Sequence, residues 1–161
     1  MTLTAPAVGD LITAAYGTEV AGWSQAWTSW SPALTATTTS PTLGTGGTTT
    51  GKYLQIGKLI VGWGEVNFGT AATAAGTGTY LLSLPVTGAA IFQHRVTGGD
   101  ILLKSAGVLT RGWLEWNTST TASLIYSSLV VGGARTAAAN NLPGAWTAND
   151  RLEYTFNYEA A

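Results

Sequence analysis

Acidic side chains beside tryptophans come closest to a reactive constellation in this chain. Glu65 lies two residues from Trp63, and Glu115 falls between Trp113 and Trp116. Two carboxylates at the right separation can hydrolyse a glycoside, and a tryptophan face can stack on a sugar ring. Period-2 strand geometry, however, puts Trp116 on the opposite face from Trp113 and Glu115. This strand alone therefore supplies no flat aromatic platform. Core or subunit-interface packing is favoured for these residues, sugar binding comes second and catalysis last.

Other chemistry has less to work with. His94 is the single histidine and there is no cysteine, so a zinc site would have to gather carboxylates from distant loops. A serine nucleophile would have only His94 as its imidazole base, and no Gly-x-Ser-x-Gly elbow is present. The run Gly44-Thr45-Gly46-Gly47-Thr48-Thr49-Thr50-Gly51 resembles a phosphate loop only in composition. It lacks the Lys-Ser/Thr ending, no helical pattern follows it, and it reads as the approach to a hairpin. Asn117-Thr118-Ser119 matches a glycosylation sequon but reads as a turn. The expectation is a non-enzymatic protein with no catalytic residue, cofactor or metal.

The elements that must position these residues are strands. In residues 51–68 two β-prone apolar runs flank Gly57-Lys58, which suits a two-residue type II′ or I′ turn. Pairing across it sets Ile56 beside Leu59, Leu54 beside Val61 and Lys52 opposite Trp63. Tyr53, Gln55, Ile60, Gly62, Val66 and Phe68 share the other face. Neither face is cleanly polar, as though one meets the core and the other a neighbour. Near the C-terminus, Leu152, Tyr154, Phe156 and Tyr158 alternate strictly with Arg151, Glu153, Thr155, Asn157 and Glu159, which predicts a half-buried strand. Further strands are expected over 31–38, 79–84, 90–104 (kinked at Gly98-Gly99), 108–117 and 121–127. Residues 69–79 and 130–149 read as loops rich in small residues.

About eight or nine short strands result, the pattern of an all-β, antiparallel β-sandwich or jelly roll spanning 30–161. Residues 1–29 read as an extended N-terminal arm with a short helix between Asp10 and Gly22. Trp23, Trp27 and Trp30 follow within eight residues. They either seal one end of the core or dock the arm onto a partner. Asp150 reads as a turn aspartate bonding local amides, with an inter-subunit ion pair through Asp150-Arg151 as the alternative.

Charged residues make up 9% of the chain, where about a quarter is usual, so much of the surface is expected to be hidden in an assembly. The net charge of −1, with Lys and Arg scattered, argues against nucleic-acid capture. No apolar stretch approaches the ~20 residues of a membrane span. The N-terminus has no signal-peptide pattern, so synthesis in a cytoplasm is expected.

Several motifs resemble those of small virion proteins of tailed bacteriophages, notably phages of actinobacteria. Trp27-Thr28-Ser29-Trp30-Ser31-Pro32-Ala33-Leu34-Thr35 leads through Pro41-Thr42-Leu43-Gly44 to Gly51-Lys52-Tyr53-Leu54-Gln55-Ile56-Gly57-Lys58. Gly9-Asp10-Leu11-Ile12-Thr13-Ala14, Ser83-Leu84-Pro85-Val86 and the closing Trp146-Thr147-Ala148-Asn149-Asp150-Arg151-Leu152-Glu153 are similar to further patterns of that group. Asn149 stands where glycine is usual, and asparagine tolerates the left-handed conformation that turn needs. The resemblance implies a trimeric structural protein on the virion, a capsid decoration or head-fibre protein held by its N-terminal segment. Its partners would be the major capsid protein or tail proteins. The alternative is a minor tail protein or tail-fibre tip that binds a host surface glycan. Expected interface residues are Trp23, Trp27, Trp30, Tyr53, Trp63, Trp113, Trp116, Asp150 and Arg151.

Overall fold

The computed structural model describes residues 26–89, 97–115, 122–131, 134–141 and 143–161. Residues 1–25 of the expected arm with its helix, His94, Trp23 and Trp116 lie outside them, whereas Thr28 and Ser29 at the arm's end belong to the sheet, paired with Tyr53 and Lys52. Among the described residues there are ten strands and no helix: β1 (Thr28–Trp30), β2 (Leu34–Ala36), β3 (Thr48–Ile56), β4 (Leu59–Asn67), β5 (Tyr80–Ser83), β6 (Thr97–Ser105), β7 (Val108–Glu115), β8 (Ala122–Val131), β9 (Ala134–Ala137) and β10 (Arg151–Glu159). Every pairing is antiparallel, in the order β1-β3-β4-β10-β6-β7-β8-β5-β2, with β9 on β8. Leu34, Tyr80 and Leu82 come from one end of this path and Ile60, Val66, Leu152 and Phe156 from the other, yet they share one buried cluster. The hydrogen-bonded sheet is thus folded over into two packed layers, an antiparallel β-sandwich.

The hairpin forms in the expected register, with Ile56 opposite Leu59, Leu54 opposite Val61 and Lys52 opposite Trp63. Gly57 has φ +59° and Lys58 does not share that sign, which selects type II′ over I′. Residues 69–79, expected as a loop, instead pair with 37–47. Mutual backbone bonds join Thr39 to Thr77 and Thr42 to Ala74, and Thr45 donates to Ala71. This irregular ladder links the Leu34↔Leu82 pairs of β2–β5 to the β3–β4 hairpin. One two-stranded ribbon therefore runs from residue 34 to residue 83 and crosses from one layer to the other. Its bridges recur every third residue on both strands, where a regular antiparallel ladder repeats every second. Unpaired residues between bridges act as successive bulges, which bend and twist the ribbon. Small and threonine-rich sequence hid this pairing, since neither strand carries an apolar alternation.

One further expectation changes and another holds. Within 130–149, taken as loop, the chain extends β8 to Val131 and adds β9. The kink expected at Gly98-Gly99 is a register shift between Thr97 and Gly99 in the β6–β7 ladder. A Cβ on Gly99 would stand 1.8 Å from the carbonyl oxygen of Thr155, so only glycine fits.

The core is organised by β10, whose Leu152, Tyr154, Phe156 and Tyr158 all point inward. Opposite Phe156 and Tyr154 on β4 stand Gly62 and Gly64. A Cβ on Gly62 would lie 2.4 Å from the Phe156 ring, and one on Gly64 would lie 2.4 Å from the Tyr154 ring. Gly51, paired with Gly64, gives the same space to the Trp30 indole. Trp30 meets Phe156 edge-on at 6.0 Å, and Phe156 lies 6.1 Å from Tyr154 and 6.0 Å from Tyr158. At the other end Trp146 stacks on Phe68 at 5.6 Å, meets Tyr80 edge-on at 5.7 Å, and donates its indole N–H to Ala139 at 2.9 Å. Tyr80 donates to Ala75 at 2.6 Å and Tyr158 to Val86 at 2.6 Å, so both rings anchor connecting segments.

Gly62→Ala is expected to destabilise the fold by ~1–3 kcal/mol, because the new methyl meets both the Phe156 ring and the Lys52 carbonyl. Phe156→Ala is expected to cost ~3–5 kcal/mol through the cavity it opens. Urea denaturation of each variant reads both values.

Burial pushes the Tyr154 and Tyr80 phenols far above the ordinary value, with the Asp150 charge adding to the effect at Tyr80. Burial also pushes Tyr158 up to about 12, against the lowering effect of its bond to Val86. With folded values raised, this contribution is complete below the unfolded tyrosine value of 10.0. It is lost as pH climbs from there through about 12, because the unfolded chain ionises first. Denaturant midpoints measured from neutral to strongly alkaline pH should hold steady and then fall in that window.

Candidate functional site

Strand alternation gives β4, β10, β6 and β7 a second face, turned away from the core. One row on it runs Thr50–Glu65–Glu153–Leu102–Arg111 across five strands, each residue the ladder partner of the next. The neighbouring row places Lys52, Trp63 and Thr155 side by side, and Asp100 pairs with Trp113. Trp63, Glu65, Asp100, Arg111, Glu153 and Thr155 line an open depression of about 550 Å3. A second depression of about 470 Å3 lies between Trp30, Lys52 and Trp63. Trp63 is 39% exposed and borders both.

Glu65 and Glu153 oppose one another directly, which sets two like charges about 5 Å apart at their Cβ atoms. Each is held by a neighbour on its own strand. Asn67 donates its side-chain N–H to Glu65, and Arg151 pairs with Glu153 at 2.9 Å. Both partners of the ion pair are substantially exposed, so it contributes under about 1 kcal/mol. This face offers fixed acceptors, cationic donors and one aromatic plane around an open hollow. Such a set can bind a polar ligand. No group of three or more His, Cys, Asp or Glu able to hold a metal occurs among the described residues.

The residues expected at an interface are dispersed. Trp27 is 51% exposed before β1. Trp30 and Tyr53 are half-buried against the core, and Trp113 is half-buried on the outer face. Only Trp63 presents its ring openly at the depression. At Glu115 burial agrees with the packing that is favoured there over sugar binding. Glu115 is 2% exposed, so it is closed to a ligand. The carboxylate that joins Glu65 is Glu153, supplied by β10 from the far end of the sequence. Alternation in 151–159 showed that Glu153 faces outward, but not that β10 would lie beside β4.

Asp150 follows the local reading. It is buried, and its carboxylate accepts from the Thr147 amide at 2.7 Å, the Thr147 hydroxyl at 3.3 Å and the Ala106 amide at 3.1 Å. Ala106 has φ +49° in the β6–β7 turn, so Asp150 holds that turn in a conformation alanine seldom adopts. Asn149 beside it has φ +65°, as its identity suggested. Arg151 pairs with Glu153 on the exposed outer face, while the Asp150 carboxylate is taken up by local amides.

No protein-family model, curated protein or solved structure matches this chain.

Asp150→Ala is expected to cost about 3 kcal/mol, because two buried amides lose a charged acceptor. Arg151→Ala should cost less than about 1 kcal/mol. Thermal and urea unfolding compare the two, and amide hydrogen exchange should quicken at Ala106 and Thr147 in the first variant alone.

Proposed function

We propose that the chain is a non-enzymatic structural protein of a bacteriophage virion. It is displayed on the particle surface as a trimer, as a capsid decoration or head-fibre protein anchored by its N-terminal segment. The virion part of this reading rests on the residue patterns of 9–14, 27–58, 83–86 and 146–153. The assembly part is carried by one observation, an apolar strip on the outer face of the β3–β4 hairpin. Ile56 and Leu59 form a cross-strand pair there, 40% and 48% exposed, and half-buried Leu54 and Val61 form the next. Beyond them on β10 stand only Asn157 and Glu159. Four adjoining aliphatic side chains in a chain with so few charges favour contact with another subunit over water. In this reading the protein is made in the host cytoplasm and joins the major capsid protein or tail proteins of the particle.

A second reading is favoured by the Trp63 depression: a minor tail protein or tail-fibre tip that binds a host surface glycan. The two differ in which segment matters. Decoration needs residues 1–22 for capsid attachment, whereas a tip needs its binding surface and not the arm.

Analytical ultracentrifugation at micromolar concentration is expected to give a trimer. Each buried Leu or Ile contributes ~1.5–3 kcal/mol, so Ile56→Lys with Leu59→Lys should weaken self-association at least ~100-fold without unfolding the sandwich. A wild-type monomer contradicts the trimer. A chain lacking residues 1–22 is expected to fold and to lose capsid binding, and full capsid binding by that truncation contradicts the anchor.

A further inference from the structure

Resting on the second reading above and naming its ligand class, we propose that the outer-face depression beside Trp63 is a binding site for a neutral oligosaccharide of three or more rings. Glu65, Glu153 and Asp100 line the hollow with Arg111, Lys52 stands across Trp63, and Arg151 with its ladder partner Lys104 lies one row beyond Glu153, so acidic and basic groups are interspersed over three rows with neither sign in large excess. A site for a polyanion or a cationic peptide would carry an excess of the opposite sign. A neutral polyol asks for something else: acceptors and donors in alternation for its hydroxyls, and one apolar plane for the C–H face of its ring. Glu65 and Glu153 supply acceptors on adjacent strands, Arg111 supplies donors at the end of their row, and the Thr155 hydroxyl serves as either.

Trp63 supplies the plane. It is an indole on the middle of a sheet face, flanked by its ladder partners Lys52 and Thr155 and not covered by them. An indole left 39% exposed retains a large apolar area in contact with water, which a stacked sugar ring removes. Because Trp63 borders depressions on both sides, of about 550 and 470 Å3, the site suits several linked rings crossing the strands with one seated on the indole. Both hollows fall within the ~300–1,000 Å3 range of small-molecule sites. The like-charged pair Glu65–Glu153 has the same logic. Opposed carboxylates weaken a ladder, and a ligand that donates hydroxyl hydrogens to both relieves that repulsion. This inference does not depend on the trimer, since Trp63 and the carboxylates lie outside the Leu54–Ile56–Leu59–Val61 strip.

The test applies the full-length chain to a printed array of neutral glycans. Heparin-derived oligosaccharides and oligolysine serve as charged comparators, and hits are followed by calorimetry and tryptophan fluorescence. At least one neutral oligosaccharide of three or more rings is expected to bind and to change the fluorescence. Trp63→Ala is expected to lower that affinity at least tenfold, with a melting temperature and sedimentation like those of the unaltered protein. Glu65→Gln with Glu153→Gln removes the charges while keeping the shape, and is expected to weaken binding several-fold. Three outcomes overturn the proposal: no neutral glycan bound at millimolar concentration, binding confined to a charged comparator, or full affinity in folded Trp63→Ala. If Trp63→Ala instead dissociates the trimer, Trp63 belongs to the subunit contact and the site is likewise refuted. Failure on the array with an intact trimer would leave the structural reading standing.

Discussion

The fold depends on aromatic rings lying over glycines. Phe156 and Tyr154 on β10 rest against Gly62 and Gly64 on β4, and Trp30 fills the space left by Gly51 on β3. A strand glycine costs stability by itself, through entropy and lost packing. Here that cost is offset because a ring from the adjacent strand covers the bare backbone. The exchange brings β4 and β10 into full register over nine pairs, and that pairing in turn places Glu65 beside Glu153. The outer face is therefore a by-product of how the inner face is packed.

How much of this could be read from the sequence depends on how local the determinant is. The Gly57-Lys58 turn carries its own instructions, and every pair read across it is present. The alternation in 151–159 is equally self-contained. The local bonds of Asp150 and the positive φ of Asn149 followed from the chemistry of those side chains alone. The ribbon formed by 37–47 and 69–79 was illegible, because its pairing is specified by backbone bonds between threonines, alanines and glycines that show no period. Strand β9 stayed hidden for a related reason, as four residues of Ala-Arg-Thr-Ala have no face to reveal.

The candidate site lay at the limit of what local pattern contains. Trp63 and Glu65 were recognisable as a pair that could meet a sugar. Their true companions, Glu153, Asp100 and Arg111, come from three other strands. Glu115 had the right neighbours in sequence and the wrong surroundings in space, being 2% exposed. The proximity of a carboxylate to a tryptophan along a strand is thus a poor guide by itself. What matters is which strand the ladder brings alongside, and β10 reaches β4 only after the 83 residues of intervening chain from 68 to 150.

The triplet spacing of the ribbon has a consequence for how this architecture can vary. Because bridges at Thr39, Thr42 and Thr45 face those at Thr77, Ala74 and Ala71 in equal steps, the crossing behaves like a ladder whose rungs come in fixed modules. Adding or removing one module on both rails would lengthen or shorten the span between the layers while keeping every remaining rung matched. A change on one rail alone would throw β2 out of step with β5 and disturb the base of the core at Leu34 and Leu82. Homologous insertions in this crossing should therefore come as matched triplets, and the gap between the layers is a dimension the chain can tune without redesigning either one.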